Sequence, residues 1–355
     1  MKNWKKLSMF AASALVLAAC GNGADEDTDN GAGTEGGDEE QFSIAMVTDT
    51  GGINDRSFNQ SAWEGMKDWA EENGLSEDAI NYYHSEQESQ YVPNIQSATT
   101  DGYDIVYGIG FLHFDPISEV ATQNPDRWYG IVDSVIEMDN VVSLTFRDHE
   151  NSFLAGMAAA LTTETNNVGF VGGIRGEVID RFETGFTAGV KHVNPDIEIQ
   201  IDYANSFDDA GVGLQIADTM YQSGADVIFH AAGGVGNGVF QSARNRMEAG
   251  SDTQLWVIGV DRDQHEEGFY NDDADNLTLG STIKNVGAAV GQSATAGMEG
   301  NFQGGEVVAY GLAEEGIDFV SQGNISDEDW ETINEARQQI IDGEIEVPEF
   351  TYSQE

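Results

Sequence analysis

The chain has 355 residues, 40% of them hydrophobic and 10% aromatic, and it is strongly acidic: 63 Asp and Glu against 15 Lys and Arg, a formal net charge of −48. That balance excludes recognition of nucleic acid, which needs clustered basic side chains to neutralise phosphates. A single cysteine, Cys20, excludes an internal disulfide framework.

The elements follow in chain order. Lys2, Lys5 and Lys6 precede an apolar run over residues 7–19. A bilayer core needs about 20 apolar residues, so this run is too short to span it and suits a secretory signal peptide over 1–19. It ends in Leu17-Ala18-Ala19-Cys20-Gly21, which resembles the lipobox of bacterial lipoproteins. The resemblance implies lipidation of Cys20 and anchoring of the chain, without spanning, at the extracytoplasmic face of the cell membrane. Residues 21–40 carry eight acids and six glycines, with no base and no aromatic, so 20–41 reads as a disordered, self-repelling tether. Loss of the leader lysines would leave 12 basic residues against 63 acids, an excess that suits a high-salt exterior.

From residue 42 onward, β-rich runs alternate with amphipathic helical patterns, the signature of βαβ units on parallel sheets. Strands are expected at 43–48, 80–84, 104–109, 128–132, 141–146, 168–171, 197–203, 227–230, 255–260, 277–283 and 307–310. Helices are expected at 57–72, 152–163, 177–192, 208–223, 237–249, 286–300 and 327–341, the last with Ser326 as N-cap and Gly343 just past its end. Single cores stop growing at about 250–300 residues, so this length suits two α/β lobes.

The loop and helix start over 48–65, TDTGGINDRSFNQSAWEG, leaves the C-terminal end of a strand, where open α/β sheets place their ligands. Taken alone, Phe58 suits core packing, Asp133 and Asp261 suit helix caps after strands, and Lys284 suits a solvated surface position. The segment 233–238 (GGVGNG) lacks both the lysine of a phosphate loop and the spacing of a dinucleotide fingerprint.

The 48–65 stretch resembles the N-terminal signature of the basic membrane protein family, bacterial lipoproteins of the purine nucleoside receptor A type that serve ABC importers. Further segments fit that family in the same order: 130–134 (GIVDS), 146–156 (FR followed by SFLAG), 168–173 (VGFVGG), 182–189 (FETGFTAG), 206–209 (SFDD), 231–240 (AAGGVGNGVF) and 259–261 (GVD). The resemblance covers about residues 42–350. It implies a type I periplasmic-binding-protein-like fold, two Rossmann-like lobes with parallel sheets joined by a hinge. Lobe 1 is expected over 42–147 plus 284–318, and lobe 2 over 148–283 plus 319–355. It further implies a purine nucleoside (inosine, guanosine or adenosine) bound between the lobes, and permease and ATPase subunits as partners of a monomer.

Carried over residue by residue, Phe58 and Phe207 match aromatics that sandwich the base, and Asp133 matches a carboxylate that reads the base edge. Asp49 and Asn59 add polar contacts. Asp261 matches a group that holds ribose hydroxyls, with Lys284 paired to it at the sugar end, and Gly233 and Gly234 let backbone approach the ligand. No cofactor, metal or catalytic residue is implied. A secreted nucleoside hydrolase would need a dense carboxylate cluster, whereas Asp49 and Asp55 are separated by a Gly-Gly turn. Histidines 84, 113, 149, 192, 230 and 265 have no metal-ligand spacing. A repressor of related architecture would need a basic DNA-binding head, and here the head is acidic. The nearest alternative is a protein of the same fold that binds a sugar or an autoinducer.

Overall fold

A computed structural model describes residues 41–350, so the leader, Cys20 and the tether lie outside the described residues. The first lobe begins with β1 (Ile44–Val47), α1 (Phe58–Glu72), β2 (Ile80–Tyr83), α2 (Tyr91–Asp101), β3 (Ile105–Gly108), α3 (Phe114–Gln123), β4 (Trp128–Val132) and β5 (Val141–Phe146). The chain then crosses into α4 (Asp148–Thr162), β6 (Asn167–Gly172), α5 (Glu177–Val193), β7 (Glu198–Tyr203), α6 (Ala210–Gln222), β8 (Val227–Ala231), α7 (Gly236–Glu248) and β9 (Trp256–Asp261). A small hairpin, β10 (Phe269–Tyr270) with β11 (Asp275–Asn276), precedes β12 (Thr278–Lys284). After it come α8 (Val286–Met298), β13 (Val307–Tyr310), β14 (Ile317–Val320) and α9 (Asp327–Ile341).

These strands build two six-stranded sheets, ordered β13-β5-β4-β3-β1-β2 and β14-β12-β9-β8-β6-β7. All neighbours are parallel except β12 with β14. Strands β1, β3, β6 and β8 are buried along their whole length, as expected for sheets covered by helices on both faces. Three segments pass between the sheets: β5 into α4, β12 into α8, and β13 into β14. The expected element pattern is present; besides the short β10–β11 hairpin there are three additions. Helices α2 and α3 each carry a proline in the first turn, Pro93 and Pro116, where the missing N–H has no intrahelical partner to lose. Prolines there, together with Thr and Ser, hide an apolar stripe that nevertheless buries Tyr91, Ile95 and Ala98 in α2 and Ile117, Val120 and Ala121 in α3. Strand β14 is the third addition. It joins the second sheet, so residues 317 and 318 pair there and not with the first lobe.

Candidate functional site

The C-terminal ends of both sheets face a common cavity. From the first lobe it is lined by Asp49, Asp55, Phe58, Phe111, Leu112 and Asp133. The second lobe supplies Val178, Ile179 and Phe182 from α5, Phe207 from the β7–α6 loop, and Ala231 to Gly233, Val260, Asp261 and Lys284 from strand ends. Phe207 meets Phe111 edge to face, with ring centroids 6.0 Å apart and planes at 78°. Gly173 is what lets Phe207 lie there, because a Cβ on residue 173 would fall on its ring. Gly233 has a positive φ of 55°, and its Cβ position lies 3.0 Å from the Phe207 carbonyl oxygen, so a side chain there would displace the aromatic.

Acidic side chains dominate the polar lining, and each is held differently. In the first loop, Asn59 Nδ2 donates to Asp49 Oδ1 at 2.6 Å and to Asp55 Oδ2 at 2.9 Å. Asp55 also accepts from the backbone N–H groups of Ser57, Asn59 and Gln60 at 2.8, 2.8 and 3.1 Å, using the free amides at the start of α1. Burial pushes the Asp49 carboxyl up to about 7, with the charge of Asp55 adding to the effect; burial raises Asp55 as well, against its backbone donors. Asp133 and Asp261 follow β4 and end β9, strands in the same place in the two sheet orders, and both have positive φ, 66° and 69°. That region is sparsely used by residues other than glycine, and such strain collects at functional sites.

The two aspartates have different partners. Lys284 is 1% exposed and reaches Asp133 at 2.7 Å and Asp148 at 3.1 Å. Its ammonium also lies over the rings of Phe146, Phe58 and Phe182 at 5.0, 5.4 and 5.5 Å. Burial pushes the Lys284 amine down, but Asp133, Asp148 and Asp261 more than offset it, so the lysine keeps its proton. Asp261 accepts from the Ser57 hydroxyl of the opposite lobe, and burial pushes its carboxyl up to about 7 although Lys284 pulls it back. The expected direct pairing of Lys284 with Asp261 is therefore replaced by ion pairs with Asp133 and Asp148.

Beside the cavity, the first loop is tied to the second lobe. Gln264 Nε2 donates to the Arg56 carbonyl at 2.9 Å, Asn237 Nδ2 to the Asp55 carbonyl at 3.2 Å, and Arg56 and Arg262 pair with Glu267 and Glu64 at 2.7 and 3.4 Å. The Gln264 oxygen accepts from Val260 N and from His230 Nε2, both at 2.9 Å, so this donor is braced by the second lobe's own core.

Of the residues singled out in the sequence, Asp49, Phe58, Asp133, Phe207, Gly233, Asp261 and Lys284 reach the cavity. Asn59 stands behind it, holding Asp49 and Asp55, and Gly234 lies next to Phe207 without lining it. Sequence reasoning missed Asp55, Phe111 and Phe182 as lining residues, and Asp148 as a buried partner of Lys284 behind the cavity. Asp55 reads as a helix cap, which it also is. Phe182 shares its helical stripe with Phe186, so periodicity alone assigns both to the core. Among the described residues no group of His, Cys, Asp and Glu is arranged to hold a metal ion, and no helix is long and apolar enough to cross a membrane.

Comparison with known proteins agrees with this architecture. Residues 42–351 match the family model for PnrA-like ABC transporter substrate-binding proteins. The chain is 49% identical over 353 residues to the CD4+ T-cell-stimulating antigen of Listeria innocua, covering 97% of each chain. It is 44% identical over 349 residues to the ABC transporter nucleoside-binding protein BmpA of Lactococcus lactis, covering 97% of this chain and 99% of that one. A crystal structure of an ABC transporter solute-binding protein from Aeropyrum pernix superposes with a TM-score of 0.76 at 27% identity, over 87% of this chain and 94% of the other. Two parallel-sheet lobes around a shared cavity, together with matches over nearly the whole described length, place the chain in the PnrA-like family of ABC transporter substrate-binding proteins.

Proposed function

We propose that this protein captures purine nucleosides outside the cytoplasm, anchored through a lipid on Cys20, and delivers them to an ABC permease and its ATPase. The observation that carries the reading is one cavity holding Phe58 and Phe207 from opposite lobes, with Asp133, Asp261 and Lys284 among its polar groups. Aromatic faces suit a planar base, and a base–aromatic stack contributes about 1–3 kcal/mol in nucleic-acid complexes. An ionised Asp133 accepts only, so it favours a purine edge that offers N–H, as inosine and guanosine do. Asp261 accepts from the Ser57 hydroxyl, and the same carboxylate suits the vicinal hydroxyls of ribose. The nucleoside-binding relative from Lactococcus lactis supports the same ligand class. Contacts with both lobes favour a closed state, and the bridging surface so formed is what a permease would recognise.

Calorimetry with inosine, pyrimidine nucleosides, free bases and ribose tests this reading. Saturable binding of inosine is expected, with Asp261→Ala weakening nucleosides while leaving the weaker free-base binding nearly unchanged. Saturable binding of a sugar with no response to any nucleoside would overturn it. Release of free base from inosine would replace transport by hydrolysis.

A further inference from the structure

Lys284 has two anionic partners in different surroundings. Asp133 lines the cavity, whereas Asp148 does not line it and is wholly buried. Lys284 Nζ donates to Asp133 Oδ2 at 2.7 Å and to Asp148 Oδ2 at 3.3 Å, with Asp148 Oδ1 at 3.1 Å. An ammonium has three N–H groups. Oxygens of both aspartates lie within reach of them, and Lys284 itself lines the cavity.

The places of these residues along the chain matter as much as the distances. Lys284 is the last residue of β12, immediately before the chain crosses to the first lobe, and Asp148 is the first residue of α4, immediately after the crossing from β5. Two of the three connections between the lobes therefore meet at one ammonium. A ligand that engages Asp133 takes acceptor capacity from the lysine at the moment the cavity closes. A buried charge with a weakened partner is costly, because little water is there to replace what the partner supplied. Asp148 keeps an anion on the lysine from the side the ligand never reaches. Burial raises the Asp148 carboxyl and Lys284 pulls it back down, with Arg181 of α5 acting in the same direction as the lysine and Asp133 against it.

We infer that Asp148 is a positioning residue of the binding site, anchoring the Lys284 ammonium at the junction of two interlobe connections while Asp133 turns to the ligand. The inference rests on the nucleoside reading of the cavity. Asp148 touches no ligand and acts through the lysine alone.

A double-mutant cycle with inosine as probe tests it. The dissociation constant is measured by calorimetry for the wild type, Asp148→Asn, Lys284→Met and the double variant. Asp148→Asn is expected to weaken inosine about tenfold, Lys284→Met more, and the double variant to match Lys284→Met within about twofold, since residues acting as one unit do not add. Two independent losses that multiply in the double variant, or an Asp148→Asn affinity within about twofold of wild type, would overturn the anchor while leaving the nucleoside reading intact. Absence of inosine binding by the wild type would overturn both. If Lys284→Met fails to fold, nitrogen-15 lysine labelling replaces the cycle: the Lys284 ammonium should resist exchange in the wild-type inosine complex and lose that protection in Asp148→Asn. Protection retained in Asp148→Asn would equally overturn the anchor.

Discussion

Asp133 and Asp261 sit in matching places in the two lobes, each at the C-terminal end of the strand third from the sheet edge, each in the left-handed backbone region, each reaching a residue on or leading to the other lobe. Their partners differ in kind. Asp133 meets a buried ammonium at a crossing between the lobes, and Asp261 meets the hydroxyl of Ser57 in the first loop, far along the chain. A buried ion pair cannot be broken cheaply, whereas a hydroxyl can exchange for water or for a sugar hydroxyl. Asp133 thus shares its carboxylate between a buried cation and the cavity, whereas Asp261 is held by a neutral donor that can be exchanged.

Substitution of the two acids should break or confirm that contrast. Asp133→Asn is expected to lower the unfolding free energy by about 1.5–3 kcal/mol, the range for hydrogen bonds to charged groups, while Asp261→Asn should stay within about 1 kcal/mol of wild type. Urea denaturation of both reads the difference, and equal losses would abolish it.

Protonation sharpens the picture next. Asp49 has its carboxyl raised from 3.8 to about 7, chiefly by burial. Between those values the folded protein holds a proton that the unfolded chain has released, so stability should fall as pH rises from about 4 to about 7. Asp261 contributes with the same sign. Burial lowers His113, His149 and His230 to about 4, and they act with the opposite sign, so the test is the difference between two proteins. The urea midpoint of the wild type should fall relative to that of Asp49→Asn across the window; parallel profiles would refute the assignment to Asp49.

The smallest effect is expected at the rim. The Arg56 side chain is 57% exposed, and its pairing with Glu267 is open to solvent and salt. Arg56→Ala should change stability by less than about 1 kcal/mol. The Gln264 bond to the Arg56 carbonyl does not depend on that side chain, so inosine affinity in molar salt should match the wild type. A loss of affinity that persists in molar salt would move Arg56 from the rim into the frame.

The alternation of strands and helices was legible in the sequence because buried parallel strands read as short apolar runs such as 44–47 and 227–231. Loops after those strands are where such sheets place a ligand, but Asp49, Phe58, Asp133 and Asp261 could be given roles only through the resemblance to the basic membrane protein family. Lys284 could be named too, but not its partners. Asp133 and Asp148 lie 151 and 136 residues away, and no local pattern records that three segments converge. Asp148 reads in sequence as an ordinary acid in the first turn of a helix. Helices α2 and α3 were hidden by first-turn prolines, residues that permit a helix start yet look like breaks.

The amide groups at the start of α1 that hold Asp55 have a wider consequence. Main-chain donors survive every substitution except proline. Part of the cleft's charge is thus balanced without any basic side chain. The outer surface is free to accumulate carboxylates until only 15 Lys and Arg remain in 355 residues, while the binding chamber keeps its electrostatic character. Swapping exterior residues to retune salt tolerance should for that reason leave ligand choice untouched.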